Sequence, residues 1–334
     1  MKRIWKKIRY RIEWLLMWLA FHLVPCLPRS ILLRLAAALA WIAWKVDRKG
    51  RLTALDNLRA AFGDEMSEAE RAACVRDSYR HFSRSMCELF WTKRLDATTA
   101  KKLIRYDYAD MEAVERAKET GAIWVTPHYA NFEWVAFGMG FRGYSFCIIA
   151  EDFKNPLLTP IFRKCRERSG HTVISQERAM IRLLKHLKKG GHAAFLPDLT
   201  VKPGNAATPI SCFGLQTSVT VLHAVLAKRT GLPVIPGICL PQPDGTYLLR
   251  GFQPLVIAPD ATEQEIAQQC WQIFEPVIRE NPAPWLWMYK HWRYRPKSED
   301  WDPARYPDYS NPSTPFHKLL ERSAEKSATA DCTS

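Results

Sequence analysis

Apolar and polar residues follow two different patterns along this chain, and the change comes near residue 121. Between residues 51 and 120, leucines recur at the spacing of an amphipathic helix. Ser67 and Glu70 add the pattern of a capping box, which predicts that a helix begins there and runs to about residue 91. This part of the chain is therefore predicted to be helical.

From residue 121 onward, short apolar runs rich in β-forming residues alternate with helical segments. The predicted strands are Ala122–Thr126, Tyr144–Ala150, His171–Ile174, His192–Leu196 and Val234–Leu240, and the helices between them lie near 131–141, 156–169, 177–189 and 217–230. This alternation predicts an α/β fold with a mostly parallel central sheet flanked by helices. A turn at Asp244 and Gly245 adds one antiparallel strand, Tyr247–Arg250, and a last helix is predicted over Glu263–Asn281.

Two further apolar runs lie near the N-terminus, Trp14–Val24 and Ile31–Trp44. Both are shorter than the roughly 20 apolar residues that a membrane-spanning helix needs. Five tryptophans at positions 5, 14, 18, 41 and 44 suit the boundary between lipid and water. Residues 1–50 are therefore predicted to form a helical membrane anchor, and the sequence leaves open whether it lies in one leaflet or spans the membrane. The alternative is a pair of helices that pack against the core.

Charge distinguishes this region further. The 334-residue chain has 48 Lys and Arg against 34 Asp and Glu, a formal net charge of +14. Twelve of the basic residues and only two acids fall within the first 51 residues, a local excess of +10. This concentration predicts an anionic membrane as partner, at the cytoplasmic face of the inner membrane. Residues 51–297 are predicted to form the α/β domain, and 298–334, rich in Pro, Ser, Asp and Lys, a disordered tail.

The same composition argues against other classes of protein. The nine cysteines are scattered without a CxxC pair, so neither a zinc site nor any other metal site is predicted. This use of cysteine predicts that the protein works in a reducing compartment. A nucleic-acid-binding protein would interleave basic and exposed aromatic residues on a folded face. The basic residues here concentrate beside apolar runs instead, so no nucleic-acid partner is predicted.

The candidate chemistry lies where the strand Ala122–Thr126 gives way to a helix. His128 follows that strand, and Glu133 comes five residues later. On one continuous helix the two side chains would point about 140° apart, so they can meet only if His128 lies in the loop and Glu133 in the first helical turn. A carboxylate bound to one imidazole nitrogen leaves the other free as a base. By itself this spacing is weak, since a structural histidine fits it equally well.

The order of motifs along the chain strengthens the interpretation of His128 and Glu133 as a catalytic pair. Before it come Arg51, Asn57-Leu58 and Ala61-Phe62; after it come Asn155-Pro156-Leu157, Arg168-Ser169-Gly170, Pro197-Asp198, Phe213-Gly214 and the closing segment Pro284-Trp285-Leu286-Trp287-Met288. In this order, from residue 2 to 297, the chain resembles the bacterial lipid A biosynthesis acyltransferases, the lauroyl and myristoyl enzymes within the wider His-x4-Asp/Glu acyltransferases. His128 and Glu133 fall on that family's catalytic pair.

The resemblance implies transfer of a fatty acyl chain from acyl carrier protein to a hydroxyl of a lipid A precursor, without an acyl-enzyme and without a cofactor. His128 would be the general base and Glu133 would orient its imidazole. The backbone around Tyr129–Asn131 would supply donors to the thioester oxyanion.

Substrate-binding candidates are residues at strand ends and on the basic helix that follows the motif. They are Arg168, Asn155, Asp198, Arg163 and Lys154. Each also has a plain structural interpretation: Asn155 as a helix cap, Asp198 as a partner for a basic group, and the cations as a solvated helix face.

Two other functions stay open. One is acyl transfer from acyl-CoA to another glycolipid, such as a phosphatidylinositol mannoside, by a related family with the same His-x4-Asp/Glu arrangement. The other is a non-catalytic membrane scaffold in which His128 is structural. Donor and acceptor preference would separate the two enzymes, and neither acyl chain length nor oligomeric state follows from the sequence.

Overall fold

The structure, a computed structural model, describes residues 2–150, 152–297 and 302–331. Its helices are α1 Lys2–Leu23, α2 Arg29–Val46, α3 Arg48–Phe62, α4 Glu68–Trp91, α5 Ala97–Leu103, α6 Met111–Thr120, α7 Phe132–Phe141, α8 Thr159–Arg166, α9 Ala179–Leu187, α10 Leu222–Thr230, α11 Glu263–Glu280 and α12 Thr314–Asp331. Its strands are β1 Ile104–Tyr108, β2 Ala122–Val125, β3 Phe146–Ile149, β4 Thr172–Ile174, β5 His192–Phe195, β6 Ala207–Cys212, β7 Leu215–Thr220, β8 Val234–Pro241, β9 Tyr247–Gly251, β10 Tyr294–Arg295 and β11 Asn311–Pro312.

The predicted α/β architecture is confirmed in its central sheet. Seven strands lie in the order β1-β9-β8-β2-β5-β3-β4. All neighbours are parallel except β8 and β9, which form the predicted antiparallel pair after the turn at Gly245. Every residue of β2 is buried, as expected for a parallel strand covered on both faces by helices.

The register of β2 against β5 determines where the chemistry lies. Val125 pairs with Phe195 as the last residue of each strand. The two strands are parallel, so the loops that follow them leave the same edge of the sheet. His128 and Asp198 each come three residues after this pair, which brings them to one place from positions 70 residues apart.

Five strands were not predicted from the sequence: β1, β6, β7 and the short pair β10 and β11. β1 lies at one edge of the sheet inside the stretch predicted to be helical, and its alternation of buried and exposed residues is only five residues long. β6 and β7 form a separate antiparallel hairpin, and β7 occupies the start of the segment predicted as the helix 217–230. That helix begins at Leu222, because residues 215–220 pair with β6 instead.

The N-terminal region is helical, as predicted, but its two helices differ in how they pack. One side of α2 is buried against α4, through Leu32 and Ala36. The adjacent side of the helix carries Ile31, Leu35, Leu39, Ile42 and Val46, all exposed. No helix within the described ranges combines the length and apolar character needed to cross a membrane. The predicted membrane anchor is unsupported by the structure, and α2 partly matches the alternative of core packing.

The predicted disordered tail contains ordered structure. Residues 298–301 and 332–334 lie outside the described residues, but Asn311–Pro312 pairs in parallel with Tyr294–Arg295, and α12 follows it. Phe316 and Leu319, three residues apart on α12, are buried against Ala207 of β6. The many polar residues of this segment concealed a narrow apolar stripe, because one helical face is enough to pack a helix.

We expect Phe316→Ala to lower the free energy of unfolding by about 3–5 kcal/mol, because it empties a fully buried site in a small cluster. Urea denaturation with a fluorescence readout would measure the change. Ile181→Ala is the control, since Ile181 is 68% exposed and its truncation should cost less than about 0.5 kcal/mol. Equal stability of both variants would mean that α12 does not contribute to the fold.

Candidate active site

The loops after β2 and β5 bring His128 and Asp198 together. Nδ1 of His128 lies 2.7 Å from Oδ1 of Asp198, and the backbone N–H of His128 donates to Oδ2 at 2.8 Å. The carboxylate can only accept, so Nδ1 carries the proton and Nε2 is left unprotonated in the neutral ring. Within the described ranges no side chain hydrogen-bonds to Nε2. This is the arrangement of a histidine held ready to accept a proton.

Asp198 remains charged although it is buried. Burial acts to raise the pKa of this carboxyl, but the positive charge of His128 and hydrogen bonds from His128 and Trp285 outweigh it and lower the pKa. Trp285 donates from its indole Nε1 to Oδ2 at 2.9 Å. Three N–H groups therefore solvate the carboxylate in place of water. Asp198, predicted from the sequence to bind substrate, is in the structure the hydrogen-bond partner of His128.

Glu133 has a different partner from the one predicted. Its carboxylate forms a two-pronged ion pair with Arg166, with Nη2 at 2.6 Å from Oε1 and Nε at 3.1 Å from both oxygens. The proximity of Glu133 raises the pKa of Arg166 further. No hydrogen bond joins Glu133 to His128 in the described structure. The predicted contact fails because Glu133, the second residue of α7, is turned to Arg166 at the end of α8.

The loop between His128 and α7 is held in a strained conformation. Ala130 has a φ of +46°, which a side chain other than glycine rarely adopts. Its N–H donates to the carbonyl of Pro284 at 2.9 Å, and the N–H of Tyr129 donates to Pro127. These two amides are therefore occupied and are not the free oxyanion donors predicted. The amides of Phe132 and Glu133, in the first turn of α7, have no acceptor among the described residues.

A buried group of charges fixes the start of α7. Asn131 caps the helix by accepting from the amide of Trp134 at 3.2 Å, and its Nδ2 donates to Glu88 at 2.7 Å. Glu88 is fully buried, and Arg29 and Arg84 lie beside it at 2.8 and 3.4 Å. Such a carboxylate is tolerated only with partners. The strained loop is thus clamped on one side by the segment around Pro284 and on the other by Glu88.

The other predicted substrate residues lie apart from this centre or are otherwise engaged. Asn155 is buried; its Nδ2 donates to the carbonyl of Tyr10 and to Glu13, both at 2.9 Å, and its Oδ1 accepts from the amide of Leu157. The interpretation of Asn155 as a helix cap is wrong, because α8 begins at Thr159 with Leu158 at its N-cap; Asn155 instead holds a turn before the helix and adds a contact to α1. Lys154, Arg163 and Arg168 are exposed. Nothing in the geometry brings these three cations to His128.

Two residues of the site were not predicted from the sequence. They are Arg166, the partner of Glu133, and Trp285, which donates to Asp198. Arg166 was one of several cations on a basic helix, and no spacing rule connects it to Glu133. Trp285 was visible only as part of the closing motif. No group of three or more metal-ligating side chains is found within the described ranges.

A cavity of about 690 Å³ lies elsewhere, between α3, α11 and the turn after β6. Phe62, Phe213, Arg279 and Arg305 are among its lining residues, and none of the predicted site residues is. Phe213 in this lining lies near the centre, with its ring centroid 5.7 Å from that of Trp285. His128 is instead hydrogen-bonded to the buried carboxylate of Asp198. For this reason we take the loops after β2 and β5, and not the cavity, as the candidate active site.

The model of the family "Bacterial lipid A biosynthesis acyltransferase" matches residues 1–294. The chain is also similar to the lipid A biosynthesis lauroyltransferase of Escherichia coli (strain K12), with 24% identity over 313 residues that span 89% of this chain and 95% of that protein. Both matches contain the two loops and the helices that carry His128, Glu133, Arg166 and Asp198.

We expect Arg166→Met to lower the free energy of unfolding by about 3–5 kcal/mol, because it leaves the buried Glu133 carboxylate without its partner. Chemical denaturation measures the loss. Arg163→Met, on the same helix, is the control; Arg163 is exposed, so little change is expected. Adding Glu133→Gln to Arg166→Met removes the unpaired negative charge. If this double variant is no more stable than Arg166→Met alone, the loss of stability does not come from the unpaired charge.

Proposed function

The chain belongs to the bacterial lipid A biosynthesis acyltransferases and is thereby an O-acyltransferase of lipid A; we propose that its acyl donor is an acyl carrier protein thioester and that His128 is the general base. The observation that carries the proposal is the buried hydrogen bond between Asp198 and Nδ1 of His128, which leaves Nε2 available. The acceptor is a hydroxyl of a lipid A precursor.

In the proposed mechanism Nε2 of His128 removes the proton of the acceptor hydroxyl as its oxygen attacks the thioester carbonyl. Asp198 holds the imidazole by Nδ1 and stabilises the imidazolium that forms. When the tetrahedral intermediate collapses, the C–S bond breaks and the imidazolium returns the proton to the leaving thiolate. General-base action of this kind contributes roughly 10²–10⁴-fold. No protein nucleophile is needed, which agrees with the burial of Cys147 and Cys165 and their raised pKa values.

The oxyanion requires hydrogen-bond donors, and the start of α7 offers them. The amides of Phe132 and Glu133 have no acceptor among the described residues, and the N-terminus of a helix favours negative charge. The ring of Phe132 lies 4.8 Å from that of His128, so these amides are near the base. In this proposal Glu133 acts through Arg166: their ion pair anchors the first turn of α7 against α8.

The surface around α8 fits both proposed substrates. Lys154, Arg163, Lys164 and Arg168 are exposed there and have no ion-pair partner among the described residues. Acyl carrier protein is acidic and lipid A precursors carry phosphates, so either would be attracted to this surface. The three predicted substrate cations are thus proposed to attract and orient the substrates, not to act on the reacting bond.

We expect His128→Ala to reduce kcat by at least about 100-fold with acyl carrier protein thioester and lipid A precursor, because it removes the base. Mass spectrometry of the acylated product measures turnover. His317→Ala on α12 is the control and should retain full activity. Full activity of His128→Ala would exclude His128 as the base, and a preference for acyl-CoA or for a phosphatidylinositol mannoside would overturn the proposed donor or acceptor.

We further propose that the exposed apolar side of α2 and the basic α1 rest on the cytoplasmic face of the inner membrane. Ile31, Leu35, Leu39, Ile42 and Val46 form a continuous exposed stripe, and an apolar surface of this extent indicates an interaction site. On α1, Trp5 is 69% exposed and stands among basic residues. Apolar residues beside cations favour an anionic lipid surface, where the helices would lie in the plane of the interface.

Because α2 also packs against α4, point substitutions are a better test than deletion of residues 1–45. We expect Leu35→Glu combined with Ile42→Glu to weaken binding to vesicles of phosphatidylglycerol and phosphatidylcholine by at least about 10-fold, through lost apolar contact. Cosedimentation measures the bound fraction. Val256→Glu, at a position 90% exposed outside this stripe, should bind like the wild type. Unchanged binding of the double variant would place the contact elsewhere.

A further inference from the structure

Within the described ranges, Trp285 is the tryptophan whose indole reaches the His128–Asp198 pair. Its Nε1 donates to Oδ2 of Asp198 at 2.9 Å, the oxygen that also accepts from the backbone N–H of His128. With two donors on Oδ2, the carboxylate is fixed in rotation, and Oδ1 is directed at Nδ1 of His128. The orientation of the base therefore depends on an indole from a segment 157 residues further along the chain.

The indole itself has little freedom to move. Trp285 is fully buried, and its ring stacks on that of His291 with centroids 3.9 Å apart and an angle of 21° between planes. Trp287 packs edge-on against it at 4.6 Å. The backbone of Trp285 forms a bridge with Tyr129, in the strained loop next to His128. Packing and backbone together determine where the N–H points.

His291 supports the indole without adding charge. Its Nε2 donates to the carbonyl of Leu286 at 2.8 Å, and burial lowers its pKa to about 4, so the ring is neutral near pH 7. A neutral ring beneath Trp285 leaves His128 as the cation that Asp198 can stabilise. The stack thus acts as a rigid, uncharged support for a single hydrogen-bond donor.

We propose that Trp285 is a positioning residue for the acyl transfer: its indole N–H holds the Asp198 carboxylate and thereby sets the orientation and basicity of His128. This inference rests on the proposed function, since it acts through the proposed base. Trp285 is too deeply buried to touch a substrate, so its effect is expected in kcat and in the pH profile and not in KM.

The direction of the pH effect follows from the charge on the carboxylate. Without the indole N–H, the negative charge of Asp198 is less well solvated and attracts the imidazolium more strongly. The protonated, inactive form of the base then persists to higher pH. The acid limb of the profile of kcat/KM should therefore move to higher pH when this one donor is removed.

Trp285→Phe and Trp287→Phe form a matched pair for the test. Both tryptophans are fully buried in one cluster and both donate from Nε1, but Trp287 donates to the carbonyl of Pro282 at 2.7 Å. With acyl carrier protein thioester as donor, we expect Trp285→Phe to lower kcat by roughly 10- to 100-fold, the effect of one hydrogen bond to a charged group. Its acid limb should move to higher pH, while Trp287→Phe keeps the wild-type limb. Thermal unfolding of both variants controls for folding.

Equal kcat and equal pH profiles for the two variants would overturn the inference, because a purely structural role predicts that outcome. Should Trp285→Phe fail to fold, nitrogen NMR of the wild type decides instead: the indole resonance of Trp285 should titrate along the acid limb, and that of Trp287 should not. A Trp285 resonance that does not change with pH would also overturn it. The activity of His128→Ala is measured in the same assay. If His128→Ala retains activity, the proposed function itself is refuted. If His128→Ala loses activity but the two tryptophan variants behave alike, only this inference is refuted.

Discussion

The hydrogen bond between Asp198 and His128 is the contact on which the rest of the site depends. It joins two loops that are distant in sequence, and it exists because β2 and β5 are parallel neighbours whose ends, Val125 and Phe195, are in register. A carboxylate this deeply buried would be neutral without partners, and protonated it would no longer stabilise an imidazolium. Its three N–H donors keep it charged, so the register of the sheet determines the environment of the proposed base, His128.

Other buried carboxylates around this centre are also paired with positively charged side chains. Glu133 is paired with Arg166, and Glu88 lies between Arg29 and Arg84 and accepts from Asn131. The first pair joins α8 to α7, whereas Glu88 on α4 pairs with Arg29 at the start of α2 and reaches the start of α7 through Asn131. Buried ion pairs contribute little net stability when compared with apolar packing. They do fix the orientation of the side chains that form them, because a mispaired buried charge costs several kcal/mol. The loop that carries His128 is held in its strained form by these directional contacts.

The N-terminal helices combine two roles that composition alone could not separate. One side of α2 belongs to the core against α4, and the adjacent side is an exposed apolar stripe. The hydrogen bonds from Asn155 to Tyr10 and Glu13 also tie α1 to the loop after β3. The surface proposed to contact the membrane therefore lies beside the α/β domain, and a lipid acceptor bound there would stand close to the basic helix α8.

Local pattern by itself determined the α/β class, the central strands, the capping box at Ser67 and the position of His128 at the end of a strand, because periodicity and turn chemistry act over a few residues. Only the tertiary structure decided which carboxylate faces that histidine. Asp198 and Trp285 reach His128 through strand register and through a backbone bridge across the fold. The nearer Glu133 is turned to Arg166 instead, since side-chain direction on the first turn of a helix depends on what the helix packs against.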